Sequence, residues 1–347
     1  MSRKYTISDI AKLVGVSKGT VDRVLHKRGK VSKTAYEKVT NILAEIDYQP
    51  NLMARNLKKN KIYRIALVFP SPEIDGYWSS CMDAIQSIKS EFQAFGIAIE
   101  THFFDPKSAV SFSKVQTIVL KSLPDTVLLA PIFQKEALLA IENYTLSGIL
   151  VATFNNRVHT QNNRSFIGQN LHQSGRVAAK LLANSVCNTG KLAIVHIDEK
   201  YKQALYIQEK EKGFRAYFEG VLDQKNQIIT FKLKRANFEQ QISEFLKTNT
   251  NLIGIFVTTS KAYEIIPFVK KYTTNKIVIV GYDLLPENVT FLKENSIDFL
   301  IHQNPKQQVY LGLKSLAEHL LFDKEINEQI LLPIDIINAE NVDLFLG

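Results

Sequence analysis

Apolar residues in the first fifty positions recur at the three-and-four spacing of helices. Ile7, Ile10, Ala11 and Val14 form one stripe, Val21, Val24 and Leu25 a second, and Val39, Ile42, Leu43 and Ile46 a third. Thr6 or Ser8 can cap the first helix, with Asp9 in its first turn, and Gly15 ends it. "GVS" then makes a tight turn, and Ser17 can cap a second helix from Lys18 to about Leu25. Ser32 caps a third, from about Lys33 to Ile46. Two helices joined by a short turn, with a third behind them, predict a helix-turn-helix head. In that arrangement the second helix turns its N-terminal residues toward base edges in the DNA major groove.

From Ile62 onward the pattern changes to short continuous apolar runs separated by amphipathic helical stretches. "YRIALVFP", "IAIETHFF", "TVLLAP" and "GILVATF" read as buried strands, with "SSCMDAIQSIKSEFQAFG" as one of the helices between them. The same grammar then repeats through "GKLAIVHI", "QIITFKL", "LIGIFVTT", "KIVIVGYD" and "IDFLIHQ". Alternating strands and helices predict parallel sheets, and two such runs predict two similar lobes. Ligands of such sheets sit beyond the carboxyl ends of the strands, here the cleft between the lobes.

Charge sharpens the reading of the head. Residues 1–61 hold 14 Lys and Arg against 5 Asp and Glu, out of 43 and 34 in the whole chain. The net charge of +9 therefore lies entirely in that segment, because the other 286 residues balance. Lys18, Arg23, His26, Lys27 and Arg28 crowd the outside of the second helix. A basic face of this kind fits a polyanion such as nucleic acid.

Several classes are set aside. The longest apolar runs are strand-sized, so no membrane span is expected, and "MSRKYTISD" lacks the apolar core of a signal peptide, which predicts a cytoplasmic protein. Cys81 and Cys187 are too few for a disulfide framework and are expected as reduced thiols in partly buried positions. The chain has no glycine-rich phosphate loop and no G-x-S-x-G elbow. Its seven histidines show no metal-ligand spacing. No catalytic residues, metal or cofactor are expected. His196 and His302 end strands, where packing is the first expectation and the cleft the second.

The segment from Thr6 to Lys59 resembles the DNA-binding head of the lac-repressor (LacI/GalR) family, through "DIA", "GVS", "TVxRVL", "VS", "Y-x-PN" and "AR-x-L". The resemblance implies that Lys18, Gly19 and Arg23 read bases, and that Thr6, Ser17 and Thr20 hold phosphates. Asp22 stands where the family usually has Ser; it can pair with His26 or accept from a cytosine amino group. In "YQPNLMARNLKKNK", Asn51 can cap a short helix over residues 52–58. By resemblance this hinge segment folds when two copies meet on an operator. Asn51 and Arg55 then belong to the DNA contact, and Leu57 wedges into the minor groove.

Residues 62–347 resemble the type I periplasmic-binding-protein fold, through "FPSPEIDGYW", "SFIGQNLHQSGRVAA", "EKGFRAYF", "VGYD" and "IHQNPKQQVYLG". The expected organisation is a head at 1–48, a hinge at 49–61, a first lobe of 62–158 plus 304–325, and a second of 164–301 plus 326–347. The crossings between lobes are expected near 156–164, 301–304 and 325–331. Cleft candidates follow the strands: Asp75, Tyr77 and Trp78; Phe154, Asn155 and Asn156; Gln169 and Asn170; Asp283; Gln303. Gln208 and Thr259 complete the set, at places where sugar-binding relatives often carry arginine and Asn-Asp. The expected function is a homodimeric regulator of a near-palindromic operator, answering to a sugar, sugar phosphate or cyclitol. The alternative is a carbohydrate-binding or carbohydrate-processing protein whose basic head has no function.

Overall fold

A computed structural model describes residues 5–25, 28–46, 48, 61–197, 204–220 and 225–346. The chain divides into two compact units, one reaching residue 59 and one starting at residue 60.

The first unit is three helices, α1 (Ile7–Val14), α2 (Lys18–Leu25) and α3 (Lys33–Glu45). Thr6 and Asp9 form a reciprocal capping box on α1: Asp9 N–H donates to Thr6 Oγ1, and Thr6 N–H to the Asp9 carboxylate. Gly15 ends α1 at φ 71°, a left-handed conformation that disfavours a side chain. Ser17 Oγ accepts from Thr20 N–H at 3.1 Å, and Ser32 accepts from Ala35 N–H at the start of α3. Ile10, Ala11, Val21, Val24 and Val39 close into a small buried core, each from a stripe visible in the sequence.

The second unit carries two six-stranded sheets. The first sheet contains β1 (Tyr63–Pro70), β2 (Ile97–Phe104), β3 (Thr126–Leu129), β4 (Leu150–Phe154), β5 (Ser165–Gly168) and β11 (Gln329–Leu331). Their order is β11-β5-β4-β3-β1-β2, all parallel. The second contains β6 (Lys191–Ile197), β7 (Gln227–Leu233), β8 (Leu252–Val257), β9 (Val278–Tyr282), β10 (Phe299–His302) and β12 (Asp335–Ile337). Their order is β12-β10-β9-β8-β6-β7, parallel except for β12.

Helices α4 (Cys81–Phe92), α5 (Ala109–Ser122), α6 (Gln134–Leu146) and α12 (Pro305–Phe322) belong with the first sheet. Helices α7 (Leu171–Ser185), α8 (Leu205–Glu219), α9 (Phe238–Thr248), α10 (Ile266–Tyr272) and α11 (Pro286–Lys293) belong with the second. A last short helix, α13, spans Asp343–Leu346.

Two of the expected crossings move. "SFIG" is β5 and pairs with β4, so it belongs to the first lobe and not the second. The first crossing is therefore at Gln169–Asn170. "QIL" is β11 and pairs with β5, so the third crossing lies between Leu331 and Asp335, beyond the expected 325–331. The second crossing is at Gln303–Asn304, between β10 and α12. Both lobes leave their fifth strand through the same Gln-Asn pair. Asn170 caps α7 by accepting from Gln173 N–H, and Asn304 caps α12 by accepting from Gln307 N–H, each at 3.0 Å.

Candidate functional site

On the head, α2 splits cleanly into two faces. Val21 and Val24 are buried, while Lys18, Gly19, Asp22 and Arg23 are exposed. Ser17 and Thr6 are exposed at the N-termini of α2 and α1, and Thr20 is half-buried behind Ser17. Ser17, Lys18, Gly19 and Arg23 are thus exposed together on α2 and its entry turn, while Thr6 is exposed at the start of α1. Helix N-termini carry unpaired N–H groups and positive potential, which suit phosphate oxygens. Asn51, Arg55, Leu57 and His26, the suggested partner of Asp22, lie outside the described residues.

The second unit holds a cleft of about 450 Å³, open to solvent, between its lobes. The first lobe supplies Ile132 from the turn after β3, Gln134 at the start of α6, Asn156, Arg157 and His159 after β4, and Leu331 from β11. The crossing supplies Gln169 and Asn170. The second lobe supplies Leu171 and His172 at the start of α7, with Leu205, Tyr206 and Glu209 on α8. This is the size and mixed polarity of a small-molecule site.

The α7–α8 contact fixes the second-lobe wall. A Cβ on Gly213 would lie 1.9 Å from the carbonyl oxygen of His172, and one on Gly175 would lie 2.0 Å from that of Lys210. Only glycine at both places lets the backbones come this close. The crossing sets the His172 backbone against Gly213, in the third turn of α8.

Of the twelve cleft candidates, Asn156, Gln169 and Asn170 line the cavity. The others are engaged elsewhere. Trp78, expected to stack on a ligand, is buried in the first-lobe core; its ring centre lies 6.2 Å from Phe69, 5.9 Å from Phe154 and 4.8 Å from Tyr77. The short helical turn of residues 76–78 tucks it there, with Asp75 accepting from Tyr77 N–H as its cap. Phe154 is fully buried in the same cluster.

Asn155, at φ 67°, donates its side-chain amide to the Tyr77 hydroxyl at 2.5 Å. Burial, followed by the Asp283 carboxylate, holds that phenol well above its ordinary pKa. Asp283 follows β9 as Asn155 follows β4, and it too has a positive φ, 65°. Its carboxylate accepts from Gln303 N–H at 2.9 Å and from the Gln303 side chain at 2.7 Å. Asn288 sits beneath it, fully buried, donating to the carbonyls of Ser260, Tyr282 and Asp283 and accepting from Tyr263 N–H. Thr259 is buried beside this network. The lobes close together at this end: Leu285 Cδ2 lies 3.9 Å from where a Cβ on Gly76 would be.

Gln208 does not line the cavity; Tyr206 and Glu209 do, three residues apart on one face of α8. That spacing was the available signal. Lys210, next along, is buried, with Nζ donating to Thr258 O at 3.0 Å and lying 3.4 Å from the centre of the Tyr282 ring. His196 is a packing residue: its Nε2 lies 2.9 Å from Glu211 Oε2 and its Nδ1 2.8 Å from Thr258 Oγ1. Glu211 also accepts from Arg215 Nε and Thr230 Oγ1, so the buried carboxylate is fully bound. Among the described residues, no cluster of His, Cys, Asp or Glu could hold a metal ion, and no helix is long and apolar enough to cross a membrane.

Comparison with known proteins adds to this geometry. Residues 65–324 match the periplasmic binding protein domain family, and residues 6–51 match the lacI family of bacterial regulatory proteins. The ribose operon repressor of Lactococcus lactis is 23% identical over 350 residues, covering 97% of this chain and 98% of that one. The NTD biosynthesis operon regulator NtdR of Bacillus subtilis is 48% identical over 66 residues, a match spanning 19% of this chain and 20% of NtdR. Among solved structures, a candidate LacI transcriptional regulator of Bacteroides fragilis superposes with a TM-score of 0.76 at 27% identity, over 82% of this chain and 99% of that one.

Proposed function

Because the chain belongs to the lacI family of bacterial regulatory proteins, carrying a periplasmic binding protein domain behind its DNA-binding head, we propose that it is a ligand-responsive repressor. It binds a near-palindromic operator as a homodimer inside the cell and takes a sugar-like effector in the cavity between its lobes. The observation that carries this reading is the two-faced α2. Its apolar side is spent on the head's own core, while Lys18, Gly19 and Arg23 stand free on the opposite side. The ribose operon repressor, alike along nearly its whole length, supports a sugar-type effector. The family's members are regulators and not enzymes, which removes the carbohydrate-processing alternative.

In the proposed mechanism, effector contacts with both walls of the cavity favour one inter-lobe angle. That angle sets how two copies present their heads to the paired half-sites. The coupling between effector and operator equals the difference in effector affinity for the two states, typically about 1–3 kcal/mol. A gel shift with DNA from upstream of the protein's own operon tests the reading. We expect tight binding to one duplex sequence, a steep fall in affinity with salt, and a response to the effector. Binding no better than to random DNA would overturn it.

A further inference from the structure

We propose that the effector is an anionic polyol, a sugar-like molecule carrying a carboxylate or a phosphate. This rests on the reading of the cavity as the effector site. Besides the Tyr206 phenol, four ionisable side chains line it: Arg157, His159, His172 and Glu209. The one carboxylate among them is already matched, since Glu209 Oε1 lies 2.7 Å from Lys212 Nζ. Arg157 has no carboxylate partner among the described residues. Its guanidinium lies 5.9 Å from the centre of the Phe166 ring, another wall of the cavity. His159 and His172 make no side-chain hydrogen bond among the described residues, and each can offer an N–H. The cavity also takes in Leu171 and His172, the first turn of the fifteen-residue α7, where backbone N–H groups and the helix dipole add positive potential. With Glu209 paired to Lys212, Arg157 is the uncompensated formal charge on the walls of a concave site, where the field on a small anion is focused. An arginine fork is built to grip a carboxylate or phosphate through two oxygens.

A second observation describes the other end of the ligand. Gln169 is buried, its Nε2 is occupied by two backbone carbonyls, and its Oε1 has no hydrogen-bond partner. An unpartnered buried acceptor on the wall of a cavity calls for a donor from the occupant. A hydroxyl supplies it, and Asn156 offers a neighbouring amide. Hydroxyl at Gln169 and oxyanion at Arg157 together specify a charged polyol, and about 450 Å³ gives room for a sugar with its phosphate.

The test is titration calorimetry and thermal melting of the full chain with matched probes: glucose, gluconate and glucose 6-phosphate, then ribose and ribose 5-phosphate, then myo-inositol and its monophosphate. The proposal expects an anionic member to bind at least tenfold more tightly than its neutral parent. Binding of gluconate along with the phosphates points to any oxyanion; binding of phosphates alone points to a phosphate ester. Arg157→Gln should weaken that ligand at least tenfold and Arg157→Lys less, while Lys180→Gln, an exposed change away from the cavity, should match the parent. Neutral members binding as tightly as charged ones, or full affinity in Arg157→Gln, would overturn the charge assignment and leave the cavity as the effector site. If no member binds or alters operator affinity, the effector-site reading falls with it.

Discussion

The side-chain amide of Gln169 lies 2.6 Å from the carbonyl oxygen of Pro333, joining the first crossing between the lobes to the third. The same Nε2 donates to His302 O at 2.8 Å, at the edge of the second crossing. One side chain thus holds all three connecting segments, and it also lines the cavity. Replacing it with Ala leaves two carbonyls without their donor. We expect a loss of about 1–3 kcal/mol in stability and, more tellingly, a weaker effect of effector on operator affinity. Melting and gel shifts with and without effector measure both; a variant with parental coupling would show that the clamp is only structural.

Gly213→Ala should damage effector binding without touching the head. Its Cβ would collide with the His172 carbonyl, so α7 and α8 must move apart. Overpacking of this kind costs about 1–3 kcal/mol, and the shift carries His172, Tyr206 and Glu209 out of register. Effector affinity should fall at least tenfold while the affinity for operator in its absence stays near the parent's. Calorimetry against the gel shift separates the two.

Gly19→Ala should stabilise the head and weaken DNA binding. Gly19 is helical, and a Cβ there would meet only Ser17 Oγ, at an ordinary 3.7 Å. Nothing within the protein requires glycine, and alanine should gain about 0.5–1 kcal/mol of helix stability. A reader that lets backbone approach a base pair requires the missing side chain. Higher Tm together with lower operator affinity is the expected pair of results; unchanged affinity would remove Gly19 from the contact.

Arg23→Ala should relax base preference at a single operator position, by about 1–3 kcal/mol. Binding to a library of operators randomised one base pair at a time reads this out. A uniform loss across all sequences would reassign Arg23 to the phosphates.

The two thiols should react very differently. Cys81 is buried in the first-lobe core, and burial pushes its thiol well above its ordinary pKa, whereas Cys187 is exposed. A chromogenic disulfide reagent should titrate one thiol in the native protein and two after denaturation. Two fast thiols would mean that α4 lifts off the sheet.

The head was legible almost to the residue, because each helix carries its own apolar stripe and its own cap: Thr6, Ser17, Ser32 and the left-handed Gly15. These signals are local. The two sheets were legible as a pattern of strands, but a four-residue strand such as Ser165–Gly168 does not say which sheet it joins. Its apolar side chains suit either core, and only pairing with β4 decides. The packing of Trp78 was hidden for a related reason. An aromatic residue after a strand looks the same in sequence whether it faces a cleft or folds back, and here Phe69 and Phe154 offer it a core. Cys187, expected partly buried, is exposed just past the end of α7. The second-lobe wall of the cavity was hidden because Tyr206 and Glu209 reach it only through the close approach allowed by Gly175 and Gly213.

The threading of the first lobe bears on how a ribosome must deliver it. Val309, Leu313 and Leu316 of α12 cover the same core as Ile65, Leu67 and Phe69 of β1, yet most of the second lobe is synthesised between them, with only β12 and the last helix to follow. During translation, the apolar flank of β1 waits in a half-built state until a segment near the carboxyl end emerges. Truncation before residue 305 should therefore leave that flank uncovered and the fragment prone to aggregate.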